Sequence, residues 1–256
     1  MTTITEGLVV VTGAGRGLGR ALSQELVKRG ARVAGIGRRE DSLLQTQELA
    51  GDARFHPFVC DISDASAVQA TFEKISRLGA VDCVINNAAV YPRKDFLEET
   101  PASFMQTVSV NLGGTVACTR AALDGMVQTG RGRILNVTTF ADLHPTPMSS
   151  AYAVSKGAAR IFSRALIADV CDRFPDIVIS DWVPGVLSTD MGLPDGISPE
   201  EAARWGAELA LWSDQSLTGT LWQRDQEVLP AQSLKRRLLN KIRGKAVRPR
   251  KLTISS

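Results

Sequence analysis

Short apolar runs alternate along this chain with longer stretches in which apolar residues return every third or fourth position. The runs cover residues 8–11, 32–36, 54–60, 81–86, 133–138, 177–183 and 220–222. Runs this short suit strands buried on both faces. Between them, stretches such as 19–30 and 65–78 carry apolar residues at helical spacing. Strand–helix repetition predicts an α/β fold: a doubly wound Rossmann-type domain with a parallel sheet of about seven strands and right-handed crossovers that place helices on both faces. Such sheets bind ligands at the carboxyl ends of their strands. No repeat or low-complexity stretch appears before about residue 230, so residues 1–230 are expected to form one domain that carries the site, with 231–256 as a tail.

Two features stand where ligands are expected. Directly after the first run, Thr12-Gly13-Ala14-Gly15-Arg16-Gly17-Leu18-Gly19 opens a helix. Glycines there let the backbone turn sharply and approach a pyrophosphate, which then sits against the positive end of that helix. Much later, Tyr152 and Lys156 stand four apart and project from one face of a helix, one turn apart. An ammonium beside a phenol favours the phenolate and brings a group that ordinarily titrates at roughly 10 toward neutrality.

The T-G-x-x-x-G-x-G spacing resembles the short-chain dehydrogenase/reductase family, and further motifs similar to that family's follow in order from residue 8 to about 224. Cys60-Asp61-Ile62 looks like the segment whose Asp contacts adenine. Asn86-Asn87-Ala88-Ala89 resembles its N-N-A-G stretch, with Ala89 in place of the glycine. Asn111 matches the helix asparagine that organises a proton-relay water, and Pro184-Gly185-Val186-Leu187-Ser188-Thr189 matches the segment that closes over the nicotinamide. The family's catalytic serine, thirteen residues before the tyrosine, is here Thr139. Threonine supplies the same hydroxyl with a stiffer χ1. Neighbouring Thr138 should point to the opposite sheet face.

The resemblance implies a catalytic set of Asn111, Thr139, Tyr152 and Lys156. It places Gly13, Arg16, Gly17, Leu18, Gly19, Arg38, Asp61, Ile62, Asn87, Leu187 and Thr189 on the cofactor, together with Tyr152 and Lys156. In carbonyl reduction Tyr152 protonates the oxygen that Thr139 holds, while hydride arrives from the nicotinamide; reversed, the same groups oxidise an alcohol. Arg38-Arg39 follows Gly35-Ile36-Gly37 where NAD-selective relatives carry an acid, so NADP(H) is favoured over NAD(H): an arginine pairs a 2′-phosphate. Alternatively, Arg38 and Arg39 simply open a solvated helix with Glu40 and Asp41. A cofactor-binding sensor that has lost turnover is the competing function, with Thr139 its one support. A sugar-nucleotide epimerase would need a longer C-terminal domain.

Only eight residues separate Thr189 from the capping pattern at Ser198-Pro199-Glu200-Glu201, so a short lid and an open pocket are expected, suited to a bulky or carrier-borne substrate. His144 is either a substrate contact or an exposed loop residue, and Trp182 is most simply core. The four cysteines are far apart and only two histidines occur, which argues against a zinc site or a disulfide framework and for a reducing, cytoplasmic compartment. No long apolar span or leader is visible. The net charge of +3 is asymmetric: residues 235–251 carry nine Lys or Arg and no acid. Aromatics at 5% and an acidic remainder speak against nucleic acid. Leu234, Leu238, Leu239 and Ile242 at helical spacing predict an amphipathic basic helix that lies on an anionic membrane surface, packs on a partner subunit, or packs on its own domain. The resemblance implies a homodimer or homotetramer.

Overall fold

The structure is a computed structural model that describes residues 7–51, 53–230 and 248–253 of the chain. Strands and helices alternate: β1 (Leu8–Thr12), α1 (Gly17–Lys28), β2 (Arg32–Gly37), α2 (Glu40–Ala50), β3 (Phe55–Val59), α3 (Ala65–Ile75) and β4 (Val81–Asn86). There follow α4 (Pro101–Val108), a π-helical turn at Ser109–Gly113, α5 (Gly114–Thr129), β5 (Arg131–Val137), α6 (Ser150–Val170), β6 (Asp176–Val183), α7 (Pro199–Leu211), β7 (Leu221–Gln223) and β8 (Gln226–Val228).

The sheet order is β3-β2-β1-β4-β5-β6-β7-β8. Every pairing as far as β7 is parallel, and β8 returns antiparallel to β7. The parallel part of the sheet has the seven strands expected from the sequence, and the antiparallel β8 is an addition at its edge. Gln226-Glu227-Val228 has no apolar run to announce it, because an edge strand need bury neither face.

Period-two alternation sends β1 into two cores. Val9 and Val11 meet Leu22 and Leu26 of α1 and Ala203 and Trp205 of α7. Leu8 and Val10 meet Phe72 of α3 and Cys118 and Met126 of α5. Each such buried aliphatic side chain contributes about 1.5–3 kcal/mol relative to exposure. Trp182 is wholly buried, as its sequence context suggests, and its indole N–H donates to the Arg224 carbonyl at 3.0 Å.

The strand order reverses at β1, which has β2 on one side and β4 on the other, and the crevice at that switch holds the site. Asn87 stitches the two strand ends together: its Nδ2 donates to the Thr12 carbonyl at 2.9 Å, while the Asn87 and Ala88 N–H groups both donate to Thr12 Oγ1 at 3.0 Å. On the far side, Arg133 is fully buried without a carboxylate. Its guanidinium donates to the Leu209 and Trp212 carbonyls at the end of α7 and to Ser180 Oγ, and burial draws it down to about 10. A cation at those orphan carbonyls complements the negative helix end.

The helix expected at Leu234 to Ile242 lies outside the described residues. Beyond it, the chain docks on its own domain. Leu252 is buried, and its N–H donates to the Asp225 carbonyl at 2.8 Å. Arg250 makes a two-pronged pair with Glu227 and lies over the rings of Trp212 and Trp222. No helix among the described residues is long and apolar enough to cross a membrane.

Candidate active site

A cleft of about 1410 Å³ opens at the carboxyl ends of the central strands. Every sequence-predicted site residue lines it except Asn111, which is buried immediately behind.

One half of the cleft is shaped for a dinucleotide. Gly13 turns at φ +71°, and a Cβ on Gly19 would stand 2.1 Å from the Gly13 carbonyl, so the loop closes only without side chains there. Arg16, the N-cap of α1, is extended and offers no side-chain cap, which leaves the first N–H groups of the helix for an anion. The Arg16 guanidinium instead reaches Asp190 at 3.3 Å, an exposed pair of the kind worth about 0–1 kcal/mol and easily exchanged for a phosphate. Arg39 is engaged by Asp41, whose carboxyl it holds down at about 2. Arg38 has no ion partner among the described residues and stands exposed in the cleft wall.

The other predicted contacts differ in how free they are. Asp61 accepts from the Ser63 N–H and hydroxyl, which hold its carboxyl below the usual range. Ile62 is buried against Gly114, where a Cβ would meet its Cδ1 at 2.4 Å. Asn87 spends its amide on Thr12. Thr189 closes over the glycine loop, its Cγ2 at 3.4 Å from where a Gly17 Cβ would be, and Leu187 pairs with Ile197 in a short parallel bridge. The expected short lid is this compact 186–197 loop. Gly192 is obligatory in it, since a Cβ there would lie 1.8 Å from the Leu187 carbonyl.

In the second half, Thr139 follows β5 and Tyr152 sits in the first turn of α6. Thr139 Oγ1 accepts from the Ala141 N–H at 3.2 Å, and its hydroxyl shares the cleft lining with Tyr152. Thr138, the residue after β5, continues its pairing with β6, its N–H donating to the Trp182 carbonyl at 2.7 Å. Lys156 is buried and donates to the Val137 carbonyl at 2.8 Å, with burial bringing its ammonium down to about 8. The sequence predicts a phenol lowered by Lys156. Here burial pushes Tyr152 up to about 12, aided by Tyr91 and opposed by the neighbouring Thr139 hydroxyl. The reason is physical: the ammonium is committed to Val137, and desolvation of a phenolate outweighs the pull of one neutral hydroxyl.

Asn111 lies in the π-helical turn, a local widening that often marks functional positions. It grips the Val90 peptide from both sides, Oδ1 accepting from its N–H at 2.8 Å and Nδ2 donating to its carbonyl at 3.0 Å. The same Nδ2 donates to Ser155 Oγ at 2.9 Å, tying the turn to α6. His144 is exposed at the cleft rim.

Sequence reasoning missed three neighbours. Tyr91, held by the Val90 clamp, stacks on Tyr152 with ring centroids 4.5 Å apart; these are the only two tyrosines in the chain. Its position just after β4 was the available signal. Arg93 lies over the Tyr91 ring at 5.4 Å and donates to the Met191 and Gly192 carbonyls. Asp181, opposite Asn136 in the β5–β6 ladder, accepts from Ser163 Oγ at 2.6 Å. Burial raises its carboxyl to about 6, and its charge favours the Lys156 ammonium. A charged residue inside the apolar 177–183 run was the signal there.

Comparison with known proteins agrees with this geometry. The family model described as short chain dehydrogenase matches residues 7–196. The chain belongs to the short-chain dehydrogenase family, oxidoreductases that use a nicotinamide cofactor. It is 33% identical over 183 residues to a 3-oxoacyl-[acyl-carrier-protein] reductase of Bos taurus, covering 71% of this chain and 76% of that protein. It is 29% identical over 188 residues to the uncharacterized oxidoreductase YvrD of Bacillus subtilis, covering 73% and 71%. With the probable oxidoreductase EphD of Mycobacterium tuberculosis it shares 35% identity over 188 residues, 72% of this chain but 31% of that longer protein.

Proposed function

We propose that this chain is an NADPH-dependent oxidoreductase that reduces a carbonyl to an alcohol, or runs the reverse, with Tyr152 as the proton donor. The observation that carries this reading is that the cleft brings the Thr139 hydroxyl, the Tyr152 phenol and the buried Lys156 ammonium together in its lining. When bound, the nicotinamide supplies the hydride.

The chain's own residues do the rest. A phenol pushed up to about 12 keeps its proton until a developing alkoxide draws it off. With one lone pair taken by Ala141, the Thr139 hydroxyl is oriented to donate to that same oxygen. Lys156 has two ammonium protons beyond the one given to Val137, suited to ribose hydroxyls. Asn111 keeps Tyr91 against Tyr152 through the Val90 clamp. For the cofactor, Arg38, which makes no salt bridge among the described residues, is the cation beside the glycine loop that fits a 2′-phosphate, while Asp41 occupies its neighbour. The acyl-carrier reductase among the relatives supports a carbonyl substrate. The four free thiols support a cytoplasmic setting, and exposed apolar side chains on α5 and α6, Val116, Val127, Val154 and Ile161, support a homo-oligomer.

The test is NADPH oxidation by the purified protein against ketones, sugars, quinones and acyl thioesters, with the reverse alcohol screen beside it. Turnover of a carbonyl that is lost in Tyr152→Phe supports the reading. Cofactor binding without turnover of any class would contradict it.

A further inference from the structure

The cations of the cleft fall into two groups. Its lining holds six cations, Arg16, Arg38, Arg39, Arg93, Lys156 and Arg224, against two carboxylates, Asp61 and Asp190. Ser63 occupies Asp61, and Arg16 occupies Asp190. Arg16, Arg38 and Arg39 flank the glycine loop and the end of β2, and Lys156 serves the ribose. Arg93 and Arg224 remain, both exposed, both in the other half, and neither with a carboxylate partner among the described residues.

The backbone at these positions is held at a cost. Among the described residues only Arg93 (φ 51°), Met148 (φ 63°) and Arg224 (φ 54°) are left-handed without being glycine, and all three line this cleft. Arg224 takes its φ in the two-residue turn of the β7–β8 hairpin, as such turns require, while Arg93 and Met148 lie in the β4–α4 and β5–α6 loops. Strain of this kind persists where the surrounding structure enforces a side-chain position. Arg93 gives Nη2 to the Met191 and Gly192 carbonyls, neutral acceptors that fix the guanidinium without discharging it. Its remaining donors have no partner among the described residues, and a guanidinium edge matches a carboxylate with two parallel hydrogen bonds. The guanidinium also lies on Tyr91, which lies on Tyr152, so the charge is two contacts from the proposed proton donor. Around it, Met148, Val186 and Leu193 line the same half with exposed apolar surface.

We infer that Arg93 is the anion-binding residue of the substrate subsite, and that the carbonyl compound turned over here carries a carboxylate on an apolar body. Arg224, beside Gly185 at the other end of the 186–197 loop, adds to the same field. The inference rests on the hydride-transfer reading above, and its test separates the two.

The probes are straight-chain oxo acids with two, four or six methylenes between carbonyl and carboxylate, each paired with its neutral methyl ester. The readout is the acid-to-ester ratio of kcat/KM with NADPH, which does not depend on how much of a variant is folded. The ratio is expected to be about tenfold or more in the wild type for at least one spacing, to fall to about 1 in Arg93→Met, and to be partly kept in Arg93→Lys. Arg224→Met should lower it less. Esters reduced as well as acids, or a ratio that Arg93→Met leaves unchanged, overturn the inference while the hydride-transfer reading stands. If nothing is turned over, calorimetry of the acids on the NADPH complex decides. Acid binding that Arg93→Met abolishes upholds the anion site and sinks the reaction, and no binding sinks both.

Discussion

Tyr152 stacks on the face of Tyr91 and stands on the helix that also carries Lys156, with Thr139 beside it in the cleft lining. Removing its hydroxyl takes away the proton donor and little cofactor contact. Tyr152→Phe is therefore expected to abolish turnover while NADPH binding, followed by its fluorescence, stays nearly unchanged. At position 139 the hydroxyl is what counts. Thr139→Ser should retain activity, and Thr139→Val should lose about 10²–10³-fold in kcat, as for removal of one oxyanion donor. Full activity in the valine variant would remove Thr139 from the mechanism. These residues were legible because spacing along one helix and position after a strand are local properties. Tyr91 and Arg93 were not, since their meaning lies in contacts with Tyr152 and Met191, far along the chain.

At the scale of elements, one distortion and one buried acid in a regular strand put polar groups beside the site. The π-helical turn aims Asn111 at Val90 and Ser155 together. In β6, Asp181 lies under α6, linked through Ser163 to Asn136 and onward to Asn86 and Thr119. Lys156 and Ser163 stand two turns apart on α6, so one helix face carries both the Lys156 ammonium and the partner of this carboxylate. A pH prediction follows from the sign of the coupling. Lys156 loses its proton near pH 8, so kcat/KM for reduction should hold below about pH 8 and fall above it. The Asp181 carboxylate favours the ammonium; without it burial acts with less opposition and Lys156 deprotonates at lower pH. Asp181→Asn should therefore move the alkaline limb toward neutrality, and a pH profile identical to wild type would break the link. The helical and apolar periods revealed these elements, but neither the π turn nor the polar β8 strand follows from period, because both are set by tertiary partners.

Across the whole molecule, the central crevice joins two charge problems solved by arginine. Arg38→Asp should weaken NADPH by about 1.5–3 kcal/mol and leave NADH equal or better, since a charge-assisted partner of the 2′-phosphate is replaced by a repulsive group. Calorimetry with both cofactors checks this, and equal losses would mean that Arg38 acts through folding. At the opposite edge, Arg250 is clasped by Glu227 and two tryptophans, with Leu252 buried beside it. Arg250→Ala should cost about 1–3 kcal/mol in thermal or denaturant unfolding. The basic composition of the tail was evident in the sequence, but the docking of its last described residues was not, because an arginine's partners are invisible until the β7–β8 hairpin is placed. The account as a whole stands on hydride passing to a carbonyl that Tyr152 protonates. The most direct measurement uses NADPH deuterated at nicotinamide C4, with mass analysis of the product from wild type and Tyr152→Phe. Deuterium on the new carbinol carbon with wild type, and no product with a Tyr152→Phe protein that still binds NADPH, is the predicted result; equal labelled product from both would contradict it.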